Sequence, residues 1–549
     1  MTLFDKIIAA RGLNSKTKAV FLLPEYSLIY NPFLLPDMDK AIKRLVEAHK
    51  KQEKILIYGD YDIDGLTSSA LLLDAFAEFG FKYVDVFMPN RFIEGYGMTI
   101  DAVEKIAESG TKLIVTVDCG SLSKKEIIRA NELGVDVIVT DHHNAAEIQP
   151  PAIAVINPKR ADSKYPFADL AGVGVAFKLV QALQIEFNVS PSIDLGLPFG
   201  QEKWLLDLVA LGTVCDIVPL TDENRIFTYW GLKVLAKAKR PGLKALMLVA
   251  DIDIRKINAR SLGFGLGPRM NAAGRLETAQ YALDMLIAKE PIDALEKAQY
   301  LDDLNISRRT DQAKILKMAI IQAEEYTNDS VLIVSHPDWN HGIVGIIASK
   351  LLEKYKKPVF VIQEMGDESK GSARSYGDFD VSGSLKFCKD IITKGGGHKL
   401  AAGVTLPTKN IDEFRTKVNE YYKSQNLTNQ KDLLLPIADV TAGINELTEE
   451  LVNLIDQLEP FGHGNPQPIL KTEDLLVVDI KKMGDNGQHI KIELQDKTGS
   501  KMKFLAFSAP EHYFVDIGDR ISVWYHVDVN VWNGNHSVEG KLLHLEIKE

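Results

Sequence analysis

The sequence predicts an α/β protein of several domains that closes with a small all-β barrel. Three observations carry this. Short β-branched runs alternate with helical stretches over residues 51–160. A shorter alternation of the same kind begins near residue 330. Beyond residue 430 the apolar period changes to two, with Gly- and Asn-bearing turns between the runs. Period-two runs read as half-buried strands, and continuous apolar runs between helices as strands of a parallel sheet.

In order, "KILIY" (54–58) is a strand candidate, and "LTSSALLLDAFAEFG" (66–80) is a helix ending on Gly80. Four further strands follow: "YVDVFMP" (83–89), "KLIVTVD" (112–118), "DVIVTD" (136–141) and "IAVINP" (153–158). Residues 160–325 read mostly helical. Residues 291–329 keep helical spacing for over thirty positions. They are either two helices with a break or one connecting helix of about 50 Å. Then come a strand (331–337), a helix (342–355) and a strand (358–363). The last region has "DLLVVDIKKM", "HIKIELQD", "KMKFLAFS" and "RISVWYHVDVNVW", strands of an OB-like barrel. In the last of these, Ile521, Val523, Tyr525, Val527, Val529 and Val531 share one face.

At 549 residues the chain is too long for one core, and three or four domains are expected. Its 46% hydrophobic and 25% charged residues fit folded domains rather than disorder. With a net charge of −11, a nucleic-acid partner must be held by a local basic groove. Three cysteines, Cys119, Cys215 and Cys388, form no CxxC, which fits a reducing compartment and the cytoplasm. The N-terminal stretch, with its early Asp5, is a poor signal peptide, and no run of 18 apolar residues suggests a membrane span.

"GDYDIDG" (59–65) places Asp60, Asp62 and Asp64 within five residues, a repulsive set unless a cation sits among them. They follow the first strand, and Gly65 is expected to let the chain turn into the helix. Asp118 ends another strand in "TVDCG", and Asp141, His142 and His143 end a third in "VTDHH". Parallel sheets bind ligands at the carboxyl ends of their strands, so these groups can converge. Oxygen ligands with one or two imidazoles and no thiolate cluster suit two Mg²⁺ or Mn²⁺ ions and phosphoryl chemistry. A single acid at a strand end is more often a loop or cap residue. Three such sites in one sheet favour a metal centre. Asp216, in "LGTVCDIVPL", is a further candidate, although alone it could simply end a helix.

"GDYDIDG", "VDCG", "TDHH", "DIVPL", "GPRMNAAGR", "HGIVGIIASKL", "GSARS" and "GGGHKLAAG" occur in this order. The series resembles that of the DHH phosphoesterases and, within them, the RecJ family of single-strand-specific exonucleases. It runs from about residue 30 to 470, and the barrel beyond fits too. The resemblance implies a parallel-sheet DHH domain with an N-terminal extension (1–290), a connecting helix (291–329), a smaller α/β DHH-associated domain (330–428), and a junction with an OB barrel (429–549). It implies that Asp60, Asp62, Asp64, Asp118, His142 and Asp216 surround two divalent ions. Asp62 and Asp118 are then shared or central. Asp64, His142 and Asp216 hold one ion, and Asp60 helps with the other. His143 and Asp141 contact the phosphate or orient the ligands. Tyr58 stands where some members carry a His ligand.

The resemblance also implies roles for loops that composition alone leaves open. Arg91 and Tyr96, in "PNRFIEGYG", are a surface charge and a packing aromatic, or a clamp on a 5′ phosphate with a stacking ring. Arg269, Asn271 and Arg275 accompany a Gly-rich stretch whose amides could face an anion. His341, Ser372, Arg374 and His398 lie on or beside Gly-rich turns and suit a second phosphate-binding face. Trp524, Tyr525 and Trp532 could stack bases, and core packing explains Tyr525 equally well. "LEPFGHGNPQPIL" (458–470) reads as a rigid turn. The implied activity is 5′→3′ hydrolysis of single-stranded DNA to 5′-mononucleotides, in recombination and repair, by a monomer. A single-strand-binding protein and a helicase are its implied partners. The rivals are a phosphodiesterase for short RNA or small nucleotides, and a non-catalytic scaffold.

Overall fold

The computed structural model describes the chain apart from residues 92, 190–197, 199, 428–430, 485 and 549. These form two compact units. The first comprises Met1–Gly274, Thr278–Gln299 and Pro436–Glu549, the second Arg275–Glu277 and Tyr300–Leu435. This grouping joins the C-terminal barrel to the first 274 residues and divides the chain after Gln299 and after Leu435; the divisions at 290, 329 and 428 are expectations from the resemblance. Position 428 lies outside the described residues.

The first unit is built on a five-stranded parallel sheet: β1 (Ile55–Tyr58), β2 (Val84–Phe87), β3 (Leu113–Val117), β4 (Asp136–Thr140) and β5 (Ala154–Ile156). Their order is β2-β1-β3-β4-β5. Chain direction across the sheet therefore reverses between β1 and β3, and a crevice opens at their carboxyl ends. Register fixes what reaches it. Tyr58 pairs with Thr116 and Val117 with Thr140, so Asp60, Asp118 and Asp141 leave their strands at neighbouring levels. The central strands are buried on both faces, as their predominance of Ile, Val and Leu requires.

The long helical region is one uninterrupted helix, Pro291–Glu325, of 35 residues, which resolves the alternative of two helices. It is about 52 Å long at 1.5 Å per residue. Ala294, Ala298 and Leu301 bury its first part, and Ile315, Ala319 and Ala323 its last. Among the described residues no helix is long and apolar enough to cross a membrane.

The second unit has a mixed sheet of β6 (Leu332–His336), β7 (Val359–Met365), β8 (Glu368–Arg374), β9 (Lys394–Gly397) and β10 (Ala401–Pro407), ordered β6-β7-β8-β10-β9. Only β6 and β7 are parallel. "GSARS" thus begins on a strand rather than a turn, since its alternate residues pack into the sheet.

The C-terminal region adds β11 (Val440–Thr441), β12 (Leu470–Met483), β13 (His489–Gln495), β14 (Lys501–Ala506), β15 (Arg520–Trp532) and β16 (Asn535–Ile547). Strands run β12-β13-β14-β16-β15, and β15 pairs back onto β12, closing a five-stranded barrel. One pair, β14 with β16, is parallel. Closure removes the sheet edges that would otherwise template pairing. Ile490, Ile492, Leu494, Phe504, Val523 and Tyr525 fill the interior. The helix Leu3–Ala10, from the far end of the sequence, adds Leu3, Phe4, Ile7 and Ile8 to the same core.

Tyr525 is fully buried, and its hydroxyl lies 2.9 Å from the Thr472 hydroxyl. It cannot stack a base, because period two sends it inward. Trp532 is 72% exposed at the β15–β16 turn. Tyr525→Phe is expected to lower barrel stability by about 1 kcal/mol. Denaturant unfolding followed by Trp fluorescence measures this, and single-strand affinity should stay unchanged.

Candidate metal centre

The centre lies at the carboxyl ends of β1, β3 and β4. Asp62 is the N-cap of the helix Ile63–Glu78, and its Oδ1 accepts from the amides of Asp64 (2.9 Å) and Gly65 (3.2 Å). The helix therefore begins three residues before Leu66, because an aspartate cap and the helix dipole reward an early start. Gly65 is inside its first turn rather than at a bend. It is needed for space: a Cβ there would stand 2.3 Å from the Asp60 carbonyl oxygen.

Asp64 is held by a second helix. Its carboxylate accepts from the amides of Gly172 (2.6 Å) and Val173 (2.8 Å), the first residues of the helix Gly172–Val189. Asp118 follows β3 with φ 59, a left-handed conformation that Asp tolerates better than most residues. Asp216 caps the C-terminus of the helix Leu206–Cys215. A carboxylate at that negative helix end gains nothing from the dipole and calls for a cation.

These side chains form overlapping clusters. Asp60, Asp62 and Asp118 offer ligand atoms within 4.8 Å of one another, as do Asp64, His142 and Asp216, and Asp118, His142 and His143. His142 Nε2 is 3.1 Å from Asp118, 3.5 Å from Asp216 and 3.8 Å from Asp64.

Electrostatics at the site are those of anions without a counter-charge. Burial, then the charge of Asp62, raises Asp60 to about 8. Burial and Asp62 likewise raise Asp216 to about 7. Burial pushes Asp64 and Asp118 well above the ordinary range; Asp216 and Asp62 add to this at Asp64, and Asp64 and Asp62 at Asp118. Burial lowers His142 to about 3, helped by the nearby His143, so its imidazole is neutral among the carboxylates. Asp60 Oδ1, Asp118 Oδ1 and both ring nitrogens of His142 are buried without a hydrogen-bond partner in the protein. Oxygens and a neutral nitrogen, orphaned and crowded together, make a donor set for hard divalent cations, and the residues fit Mg²⁺ or Mn²⁺.

Asp141 behaves oppositely. Burial would raise it, but this is outweighed by hydrogen bonds, first from the His143 ring and then from amides, which hold it at about 2. It accepts from the amides of Ser121, His142 and His143 and from His143 Nδ1 (2.9 Å). The same interaction raises His143 despite burial, which alone would lower it. The Tyr96 hydroxyl lies 3.0 Å from His143 Nδ1, and Arg91 stacks on the Tyr61 ring at 4.4 Å.

Other predicted residues lie elsewhere. The Gly-rich stretch around Arg269 and Asn271 is no loop. A π-helical turn, Ser261–Leu266, runs into the helix Gly267–Leu276, so most of its amides serve that helix. Arg269 donates to the Gly265 carbonyl (2.8 Å). In the second unit Arg275 donates to the Gly342 carbonyl (3.0 Å) and the His341 amide to Gln363 (2.8 Å). Ser372 and Arg374 are alternate residues of β8, joined by a 3.1 Å hydrogen bond. His398 is exposed at the β9–β10 turn, where its amide donates to the Ala401 carbonyl (2.8 Å). Tyr58 faces away from the carboxylates into the core, where its hydroxyl donates to the Gly97 carbonyl (3.1 Å). Its hydroxyl is engaged by that carbonyl within the core.

Sequence reasoning missed the Gly172 and Val173 amides, and Asn157. The buried Asn157 side chain donates to Ser121 Oγ (2.8 Å) and the His143 carbonyl (2.9 Å). "AGVGVAF" and the Asn after β5 were the available signals.

A model of the DHH family N-terminal domain matches residues 54–213, the DHHA1 domain 328–424 and the RecJ OB domain 438–544. A Haemophilus influenzae protein named single-stranded-DNA-specific exonuclease RecJ is 34% identical, covering 98% of this chain and 95% of its own. The chain belongs to the RecJ family. RecJ of Bacillus subtilis is 37% identical over 97% of this chain, which spans 66% of that longer relative. RecJ of Thermus thermophilus, solved with Mn²⁺, superposes with a TM-score of 0.83 at 27% identity, over 100% of this chain and 76% of that one. Its Mg²⁺ complex gives 0.76 at 25% identity, over 100% and 77%.

Two outcomes follow for this RecJ-family centre. In chelator, the folded chain keeps protons on Asp216 up to about pH 7 and on Asp60 up to about pH 8, whereas unfolded carboxyls titrate near pH 4 (about 3.9). The folded state binds more protons across that window, so the melting temperature should fall as pH rises from about 4 to about 8, and Mn²⁺ should remove most of the fall. Asp141→Asn should weaken Mn²⁺ binding about 10- to 100-fold, read by calorimetry.

Proposed function

We propose that the chain is a single-stranded-DNA-specific exonuclease that hydrolyses phosphodiester bonds from the 5′ end and releases 5′-mononucleotides. The observation that carries this is the crowding of Asp60, Asp62, Asp64, Asp118, His142 and Asp216, with Asp60 Oδ1, Asp118 Oδ1 and both His142 ring nitrogens orphaned, in a chain of the RecJ family. Asp64, His142 and Asp216 would hold one ion, and Asp60, Asp62 and Asp118 the other. When bound, two Mg²⁺ or Mn²⁺ ions polarise the phosphoryl oxygens and lower the pKa of a water.

The chain's own groups do the remaining work. The Gly172 and Val173 amides fix the direction of Asp64. Asp141 fixes the His143 ring through Nδ1 and favours its imidazolium form, whose Nε2–H would donate to a phosphoryl oxygen. Arg91, stacked on Tyr61, is assigned to a terminal phosphate, and Tyr96, whose hydroxyl lies 3.0 Å from His143 Nδ1, to the terminal nucleotide. Arg269 and Asn271 in the first unit, and Arg275, His341, Ser372, Arg374 and His398 in the second, are assigned to the strand's other phosphates. The half-buried Trp524 and exposed Trp532 suit the barrel's contact with bases. The working state is a cytoplasmic monomer in recombination and repair, supplied with single strands by a helicase and a single-strand-binding protein.

Asp118→Ala should lower kcat/KM on 5′-labelled single-stranded DNA by on the order of 10⁴-fold, with circular dichroism unchanged. The unsubstituted enzyme should release labelled mononucleotides from the long strand and leave a duplex intact. Cleavage confined to a dinucleotide would overturn the reading.

A further inference from the structure

Asp216 ends its helix, and the chain must leave that helix at once. Ile217 does so at φ 60, a left-handed conformation that a β-branched residue enters only under constraint. Two and three residues further on, Pro219 and Leu220 meet a segment about 240 residues later in the sequence. The Leu220 amide donates to the His463 carbonyl at 2.7 Å. Gly464, at φ 72, lies so close that a Cβ there would stand 2.9 Å from the Pro219 Cβ.

The junction is itself locked in place. The buried Asn465 donates through Nδ2 to the carbonyls of Leu458 and Pro460, each at 2.9 Å. The Arg11 guanidinium donates to Asn465 Oδ1. Arg225, five residues beyond Leu220, donates to the Leu458 (3.0 Å) and Glu459 (2.8 Å) carbonyls. Residues 219–225 are therefore tied to the junction at both ends, with Asp216 three residues before them.

We propose that the junction 458–466, which carries the barrel, is a positioning strap for Asp216. It sets the approach of this carboxylate to Asp64 and His142, and so sets ion affinity in that cluster. The inference rests on reading Asp216 as an ion ligand. By linkage, ion binding then tightens the junction by the same free energy with which the junction tightens ion binding.

The test uses the full chain, stripped with chelator and titrated with Mn²⁺ while free Mn²⁺ is followed by electron paramagnetic resonance. Gly464→Ala pushes on Pro219. Gly518→Ala is the control: φ there is 102, but an added Cβ meets nothing within 4 Å. Gly464→Ala should weaken one of two Mn²⁺ ions about tenfold or more and leave the other unchanged, and Gly518→Ala should bind as the parent does. In the parent, saturating Mn²⁺ should slow hydrogen exchange at the Leu220 amide. An unchanged isotherm for Gly464→Ala, or an exchange rate at Leu220 indifferent to Mn²⁺, overturns the strap. Asp216→Ala should lose one ion; an unchanged isotherm for that variant overturns the ligand assignment, and the strap with it.

Discussion

The molecule is organised around a repulsion. Three buried carboxyls, Asp60, Asp64 and Asp118, and the half-buried Asp216 crowd a neutral imidazole, and loss of solvent drives all four toward protonation. No lysine or arginine is paired with any of them in the described residues, although other acids of the chain are so matched, as Glu223 is by the buried Lys178. That contrast separates a structural charge from one kept for a ligand. The fold tolerates it because amides at helix starts, from Gly65 and from Gly172 and Val173, partly neutralise the acids they touch.

Much of this was legible in the sequence. The strands of the parallel sheet are where β-branched runs put them, since a strand buried on both faces has little other composition to choose from. The acids could be gathered because each follows such a strand, and parallel strands end on one side. The barrel was legible through its period of two, although the sequence reading stopped at β15 and did not include β16, whose "NHSVEGKLLHLEI" alternates less cleanly. Asp216, which no strand pattern reaches, stood out by its apolar setting, and the family resemblance joined it to the others.

What was not legible depends on contacts distant in sequence. Glycine content suggested a loop at 263–277, yet the segment is helical because its small residues let helices pack closely. Gly267, for example, leaves no room for a Cβ beside Cys215 Sγ, at 2.9 Å. Likewise "LEPFGHGNPQPIL" gave only a turn, because its partners are Pro219, Leu220 and Arg225. Tyr58 could be judged only once its hydroxyl had a partner.

The helix Leu3–Ala10 shares the barrel's core, and this has a consequence for synthesis. Its apolar face, Leu3, Phe4, Ile7 and Ile8, is made more than 400 residues before its partners in that core, such as Leu451 and Ile455. At about 5–20 residues per second the face waits roughly half a minute or more for its partners. Contacts of such long sequence separation also form late for entropic reasons. The nascent chain therefore carries an unpartnered apolar face at this helix while the parallel sheet assembles behind it. A chaperone that holds short apolar helices would find its target there, and would be released by the closing of the barrel rather than by the folding of the catalytic sheet.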